Sequence, residues 1–267
     1  VVLRQSRALV TGASSGIGRA IAAALVGEGC EVVGTSRNPD AIPPERRVPG
    51  VRYCRLELSD SRSVEEVASE AGPVDILINN AGVSQIGSVE DISLEQLRYI
   101  NEVNVVGTVY LTKLLIAGMR ERRKGFIVNV TSFAARIAIP FSTVYAVTKH
   151  AIGGLTKGLR PELRPCGVQA VSVAPVHINT AIPMIQTYPD DSPYAEQTRR
   201  VKAIRDKGMR EAPSPDWLAR KVVRILKARK PAPEYILGKS AMLYRFLLRA
   251  LSEAGVQWLV RKTFHVR

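Results

Sequence analysis

Short runs of consecutive apolar residues alternate along this chain with longer stretches in which apolar positions recur every three or four residues. Arg7-Ala8-Leu9-Val10-Thr11 is apolar in its middle and stops at Gly12. From Ile17 to Leu25 the apolar residues Ile17, Ile21, Ala24 and Leu25 fall on one helical face. The same alternation predicts strands over 31–35, 51–58, 75–79, 126–130 and 168–173, and helices over 64–71, 94 to about 122, and 144–163. Each strand is apolar on both faces, so the sheet is parallel and covered on both sides by helices. The expected class is α/β, a doubly wound parallel sheet, and no internal repeat or low-complexity linker divides it.

The alternation breaks over 176–213, which holds Pro183, Pro189, Pro193 and Pro213. So long a connection in a compact domain predicts a substrate loop or lid. Ser214-Pro215-Asp216 then supplies an N-cap, a first-turn proline and a dipole-matching acid. The helix it opens carries Leu218, Val222, Ile225 and Leu226 on one face. A last strand over 234–237 and a basic helical extension, 239–267, complete a single domain spanning 1–267.

Composition changes the picture at one point. The 267 residues are 46% hydrophobic and 23% charged, which excludes disorder and fibres, but the formal charge is +14. Such a surplus suggests an anionic partner. It is not spread evenly: 1–198 carries 20 basic and 19 acidic side chains, and 199–267 carries 18 and 5. The excess therefore belongs to the C-terminal quarter, and nucleic acid is not an expected partner. Residues 241–251 are mostly apolar with arginines four apart, and Trp258 stands near Arg261 and Lys262. Two roles stay open for this tail. It packs over the substrate pocket or against another subunit, or it lies on anionic lipid as a peripheral membrane contact. Cys30, Cys54 and Cys166 have no Cys-x-x-Cys spacing, so neither disulfides nor a bound metal are expected. No signal-peptide layout and no run of about 20 apolar residues stand out, and a cytoplasmic location is the expectation.

Candidate chemistry begins where the first strand meets the first helix, at Thr11-Gly12-Ala13-Ser14-Ser15-Gly16-Ile17-Gly18. Glycines there let backbone approach a dinucleotide pyrophosphate, and the helix N-terminus offers N–H donors. Gly12, Ser14 and Gly16 also match the G-x-S-x-G elbow of an α/β-hydrolase. A first-strand elbow is unusual, none of His150, His177 and His265 has an acid in the expected order, and Gly18 would be superfluous. Downstream, Asn79-Asn80-Ala81-Gly82 and Ser132 each follow a strand, and Tyr145 and Lys149 stand at i and i+4 on one helix face.

With these motifs in order, residues 5–180 resemble the short-chain dehydrogenase/reductase family. The resemblance implies a Rossmann-like fold, a nicotinamide cofactor and a homodimer or homotetramer. It assigns Asn104 to a water relay behind Lys149, and gives Lys149 a second contact with the cofactor ribose. It implies cofactor contacts from Gly12, Ser14, Ser15, Gly16, Ile17, Gly18, Asn80, Ala81, Gly82, Tyr145 and Lys149, and from Pro175, Val176, Ile178 and Thr180 after the 168–173 strand. Two positions depart from the family pattern. Glu57, beside Leu58, stands where a strand-end Asp usually meets the adenine, and Val176 replaces a common glycine.

Physical chemistry gives the site its expected working. A free tyrosine has a pKa of about 10, and the Lys149 ammonium is expected to lower that of Tyr145 by about 1 to 3 units. Tyr145 then exchanges a proton with an alcohol or carbonyl oxygen that Ser132 holds. At the end of the second strand Ser36 replaces an acid and Arg37 follows, which favours the 2′-phosphate of NADP(H) over NAD(H). The expected substrate walls are the residues after Gly82, the 133–141 segment and the 176–213 lid, with Gln85, Phe133, Phe141 and Met184 as the leading contacts and Ile139 and Ile182 among the other apolar residues, and an apolar alcohol or ketone is the expected guest. The Thr35-Ser36-Arg37 region and basic tail resemble hydroxysteroid and retinol dehydrogenase-like members. A 3-oxoacyl reductase, an NAD-preferring enzyme or a dinucleotide-sensing protein without turnover are the alternatives.

Overall fold

Seven parallel strands form one sheet because each offers apolar side chains to both faces and the segments between them are helical. The computed structural model describes residues 2–266. Its first half runs β1 (Arg7–Val10), α1 (Gly16–Gly27), β2 (Glu31–Ser36), β3 (Val51–Arg55), α2 (Ser61–Glu70), β4 (Ile76–Asn79), β5 (Ser84–Ile86), α3 (Leu94–Asn101), α4 (Gly107–Glu121) and β6 (Gly125–Val130). The second half runs α5 (Thr143–Leu163), β7 (Val168–Pro175), β8 (Met184–Gln186), α6 (Ala195–Arg210), α7 (Pro215–Lys227), β9 (Glu234–Leu237), α8 (Ala241–Ala250) and α9 (Glu253–Phe264). The sheet order is β3-β2-β1-β4-β6-β7-β9, with β5 and β8 pairing separately. Strand order reverses between β1 and β4, so the connections leaving their carboxyl ends diverge and open a crevice.

Alternate residues of the central strands enter two different cores, as a pleat of period two requires. Ala8, Val10, Ile76, Ile78, Phe126 and Val128 pack with Ile21 and Leu25 of α1 and with Leu218, Val222 and Leu226 of α7. Leu9, Leu77 and Ile127 face the other way, toward Val64 and Val67 of α2, Leu111, Leu115 and Met119 of α4, and Leu159 and Leu163 of α5. This is the Rossmann-like doubly wound architecture that the pattern of apolar runs predicts.

Three elements differ from the sequence expectation. The stretch expected as one helix from 94 to about 122 is interrupted by a π-helical turn, Glu102–Val106, between α3 and α4. An extra residue in a turn widens it locally and redirects a side chain, and here that side chain is Asn104. The whole stretch, Leu94–Glu121, is long and apolar enough to cross a membrane by length and composition. Its apolar character is spent on the sheet, where Leu111 and Met119 are fully buried.

The second difference lies in 176–213, where β8 and the 16-residue α6 replace an irregular loop. α6 escapes an apolar-periodicity test because its buried stripe is Ala195, Thr198, Val201 and Arg205, only one of them a large hydrophobe. Third, the C-terminal extension is two helices. Val260 and Phe264 of α9 join Ile86, Tyr188 and Val201 in a small core over β5 and α6. α8 buries little, and Met242, Leu243 and Phe246 are exposed.

Gly107, directly after the π turn, permits the closest approach in this region. A Cβ there would lie 2.0 Å from the Leu58 carbonyl oxygen, a backbone atom that cannot rotate away. Gly107→Ala is expected to destabilise the protein by about 1–3 kcal/mol, as overpacking does. Gly154→Ala, on α5 with open space around it, is expected to cost nothing in the same urea titration.

Candidate active site

The crevice at the strand reversal is a continuous cleft of about 640 Å³. One end is built by the turn between β1 and α1. Thr11 Oγ1 accepts the amides of Asn80 and Ala81 at 2.9 Å each, and Asn80 Nδ2 donates to the Thr11 carbonyl at 2.8 Å. These bonds lock the loop after β1 to the loop after β4. A Cβ on Gly18 would fall 2.2 Å from the Gly12 carbonyl oxygen, so only glycine lets α1 begin this close to the strand. α1 has no side-chain cap and no acid in its first turn, so its N–H groups and positive dipole end are available to an anion.

Ser14, Ser15, Gly16 and Ile17 line this end, with Gly12, Asn80, Ala81 and Gly82. Gly18 stands behind the wall. Ser36, the last residue of β2, and Arg37 after it border the cleft, and Arg37 makes no ion pair or hydrogen bond among the described residues. Leu58 lines the same end, as does Glu57, whose carboxylate turns back to accept the Ser59 amide and hydroxyl at 3.2 and 2.8 Å. Pro175, Val176, Ile178 and Thr180 form the opposite rim, with the Val176 amide donating to the Leu237 carbonyl at 2.8 Å. The β-branched Val176 is thus accommodated by pairing with the end of β9.

The far end holds Ser132, Tyr145 and Lys149. Tyr145 and Lys149 come from adjacent turns of α5, and both are buried. Lys149 Nζ donates to the Val130 carbonyl at 3.2 Å and lies 5.7 Å from the centre of the Tyr145 ring. Asn104 does not touch the cleft; it works from behind. Its Oδ1 accepts the Val83 amide at 2.8 Å, and its Nδ2 donates to the Val83 carbonyl at 2.8 Å and to Thr148 Oγ1 at 3.0 Å. Thr148 in turn donates to the Tyr145 carbonyl at 2.8 Å. The π turn therefore ties the loop after β4 to the helix that carries the tyrosine and lysine.

Two sequence expectations need correction. The first concerns Tyr145, whose pKa is raised rather than lowered: burial is the largest influence and outweighs the hydrogen bond from Ser132 and the positive charge of Arg205. Lys149 gives less help than expected because burial pulls its own pKa down to about 8. The second concerns the substrate wall, since Gln85, Phe133, Phe141 and Met184 do not line the cleft. Gln85 is fully buried, with Nε2 donating to the Gly87 carbonyl and to Thr187. Phe133 packs on Tyr244 of α8 with ring centres 4.7 Å apart, Phe141 on Tyr194 at 6.2 Å, and Met184 belongs to the small core under α9. Their apolar demand is met by neighbouring elements whose positions the sequence does not reveal.

Of the expected apolar wall, Ile139 and Ile182 do line the cleft, with Pro183 and Met209 and with Ser84, Ser142, His177 and Arg205. Arg205 is the residue that sequence reasoning missed. Its one signal is its place on the α6 stripe with Ala195, Thr198 and Val201, where a charged side chain is out of keeping.

A glycine-cradled helix N-terminus and a buried tyrosine–lysine pair, joined by one cleft at a strand reversal, define a dinucleotide-dependent oxidoreductase. Residues 6–189 match the short chain dehydrogenase family, and the chain belongs to it. It is 30% identical over 243 residues to dehydrogenase/reductase SDR family member 7B of Bos taurus, covering 85% of this chain and 72% of that one. A short chain dehydrogenase from Burkholderia cenocepacia J2315 in complex with NADP superimposes with a TM-score of 0.75 at 25% identity, over 98% of this chain and 99% of that one. The 3-ketoacyl-(acyl-carrier-protein) reductase from Brucella melitensis, complexed with NADH, gives 0.73 at 25%, over 88% and 97%. The protein is an oxidoreductase of CH–OH groups with a nicotinamide dinucleotide cofactor.

Burying Lys149 has a consequence for stability. Its folded pKa of about 8 lies below the ordinary 10.5, so the unfolded chain binds the proton more tightly. The destabilisation is complete below pH 8 and fades as pH rises toward 10.5. Lys149→Met is expected to abolish turnover yet stabilise the cofactor-free protein by about 3 kcal/mol at neutral pH. Thermal melts across the alkaline range should show that gain shrinking.

Proposed function

We propose that the protein is an NADP(H)-dependent oxidoreductase that interconverts an apolar secondary alcohol and its ketone, or an aldehyde, of the steroid- or retinoid-like kind. The observation that carries this reading is the continuity of the cleft, from Arg37, unpaired among the described residues, at one end to Ser132, Tyr145 and Lys149 at the other. Arg37 pairs with the 2′-phosphate, and no acid at the end of β2 opposes it. The N-terminus of α1 receives the pyrophosphate. The bound nicotinamide supplies or accepts the hydride. Ser132 holds the reacting oxygen by a hydrogen bond, and Tyr145 gives it a proton in reduction and takes one in oxidation. Lys149 orients the ribose and supports the charge on Tyr145, and Asn104 acts as a positioning residue through Val83 and Thr148.

The reading extends to a homodimer or homotetramer in the cytoplasm. The exposed Met242, Leu243 and Phe246 on α8 support a face that a second copy covers, and the packing of α9 over α6 accounts for part of the basic tail. Three free cysteines suit a reducing compartment.

Tyr145→Phe is expected to eliminate NADPH-dependent reduction of a panel of apolar ketones while NADPH binding persists. Arg37→Asp is expected to raise KM for NADPH far more than for NADH; equal effects on the two would overturn the phosphate assignment. The raised pKa of Tyr145 keeps its proton in place at neutral pH. Ketone reduction should then stay level through neutrality and fall only in alkali, whereas alcohol oxidation should climb with pH.

A further inference from the structure

The most unusual group in the cleft is Arg205. Its residue is only 8% exposed. The guanidinium donates from Nη1 to Ser142 Oγ at 2.6 Å and to the Gln85 carbonyl at 3.5 Å, and from Nη2 to Ser84 Oγ at 3.1 Å. All three acceptors are neutral. No carboxylate pairs with it among the described residues; the adjacent Asp206 is engaged by Lys202 at 2.7 Å. A guanidinium has five N–H groups, so the three bonds leave two without an acceptor.

A buried cation of this kind is costly unless an anion meets it. Three features turn that cost toward a ligand. Arg205 is part of the cleft wall and acts on Tyr145 by its charge, whereas the proposed dinucleotide contacts are the α1 turn and Arg37. Ser142, which it grips, precedes the first turn of α5, and that turn contains no acid, so the positive end of the helix dipole adds to the same spot. His177, beside it, is held neutral by burial and by the guanidinium itself. The remaining walls, Ile139, Ile182, Pro183 and Met209, are apolar.

We infer that the substrate carries a carboxylate that Arg205 binds, so that the apolar ketone and alcohol of the proposed reaction are an oxo acid and its hydroxy acid. The inference rests on the oxidoreductase reading of Tyr145 and names the substrate class of that site. The two free N–H groups match the two oxygens of one carboxylate, and the carbon chain takes up the apolar walls. The carboxylate is unchanged in the reaction: hydride reaches the carbonyl carbon, and the Tyr145 proton reaches its oxygen. Arg205 is a specificity residue, and Ser84 and Ser142 hold its guanidinium in place.

The test compares kcat/KM, with NADPH, for levulinate and longer keto-fatty acids against their methyl esters. Wild type is expected to favour each acid over its ester by about tenfold to a hundredfold, the worth of charge-assisted hydrogen bonds. Arg205→Met is expected to bring the acid-to-ester ratio close to one, and Arg205→Lys to keep part of it. The ratio is unmoved by general damage to the fold, which lowers both rates together. A second measurement needs no variant: decanoate should bind the NADPH-loaded enzyme in calorimetry at least about tenfold more tightly than decanol. A wild-type ratio of one, an Arg205→Met variant that loses acid and ester activity equally, or equal binding of decanoate and decanol would each overturn the inference. Failure of the oxidoreductase reading looks different, because no ketone, acid or ester is then reduced even though NADPH and decanoate bind.

Discussion

The clasp between Thr11 and Asn80 is the contact on which the functional half of the molecule depends. Where strand order reverses between β1 and β4, the two connecting loops would diverge without restraint. The Thr11 hydroxyl and the Asn80 amide bond them together across the reversal. That fixes the glycine turn at the head of α1. It also fixes the loop running on to Gly82 and Val83, and Val83 is gripped by Asn104 from the π turn. Through Thr148 the same chain of bonds reaches α5, and with it Tyr145 and Lys149. One polar network thus holds the cofactor end and the chemical end of the cleft in register.

Burial sets the electrostatics of the chemical end. Tyr145, Lys149 and Arg205 are all withdrawn from water, and each is driven toward its neutral form. For Lys149 and Arg205 the result is a cost to the folded state. For Tyr145 the result is a phenol that keeps its proton at neutral pH. An acid–base site of this kind trades stability for a reactive environment, which is consistent with placing it at the junction of packed elements rather than on a mobile surface loop.

The parts of this fold that were legible in the sequence are those whose side chains repeat a local period. Strands such as 126–130 are apolar at every position but Asn129 because both faces are covered, and α7 shows its face in Leu218, Val222, Ile225 and Leu226 with Ser214 as cap. Motif residues were legible for a similar reason, since Gly18 and the Tyr145–Lys149 pair obey local geometric requirements. α6 was not legible, because a helix that buries threonine and arginine carries no apolar stripe. Neither was the break at Glu102–Val106, because a π turn leaves the composition of a helix unchanged. Phe133, Phe141 and Met184 look like pocket residues in a linear reading, but α8, α9 and the segment around Tyr194 claim them.

The sequence by itself determined the sheet, the glycine cradle, the Tyr145–Lys149 pairing on one helix face and the location of the positive surplus in the last quarter of the chain, since each follows from residue type at short spacing. Tertiary structure alone decided which of those positive charges is withdrawn from water into the cleft wall. Arg205 counts in composition as one more cation of a basic C-terminal region, yet it lies buried against Ser84 and Ser142, residues 121 and 63 positions away. Its charge also acts on Tyr145, on a different helix, because the fold removes the water that would otherwise screen it.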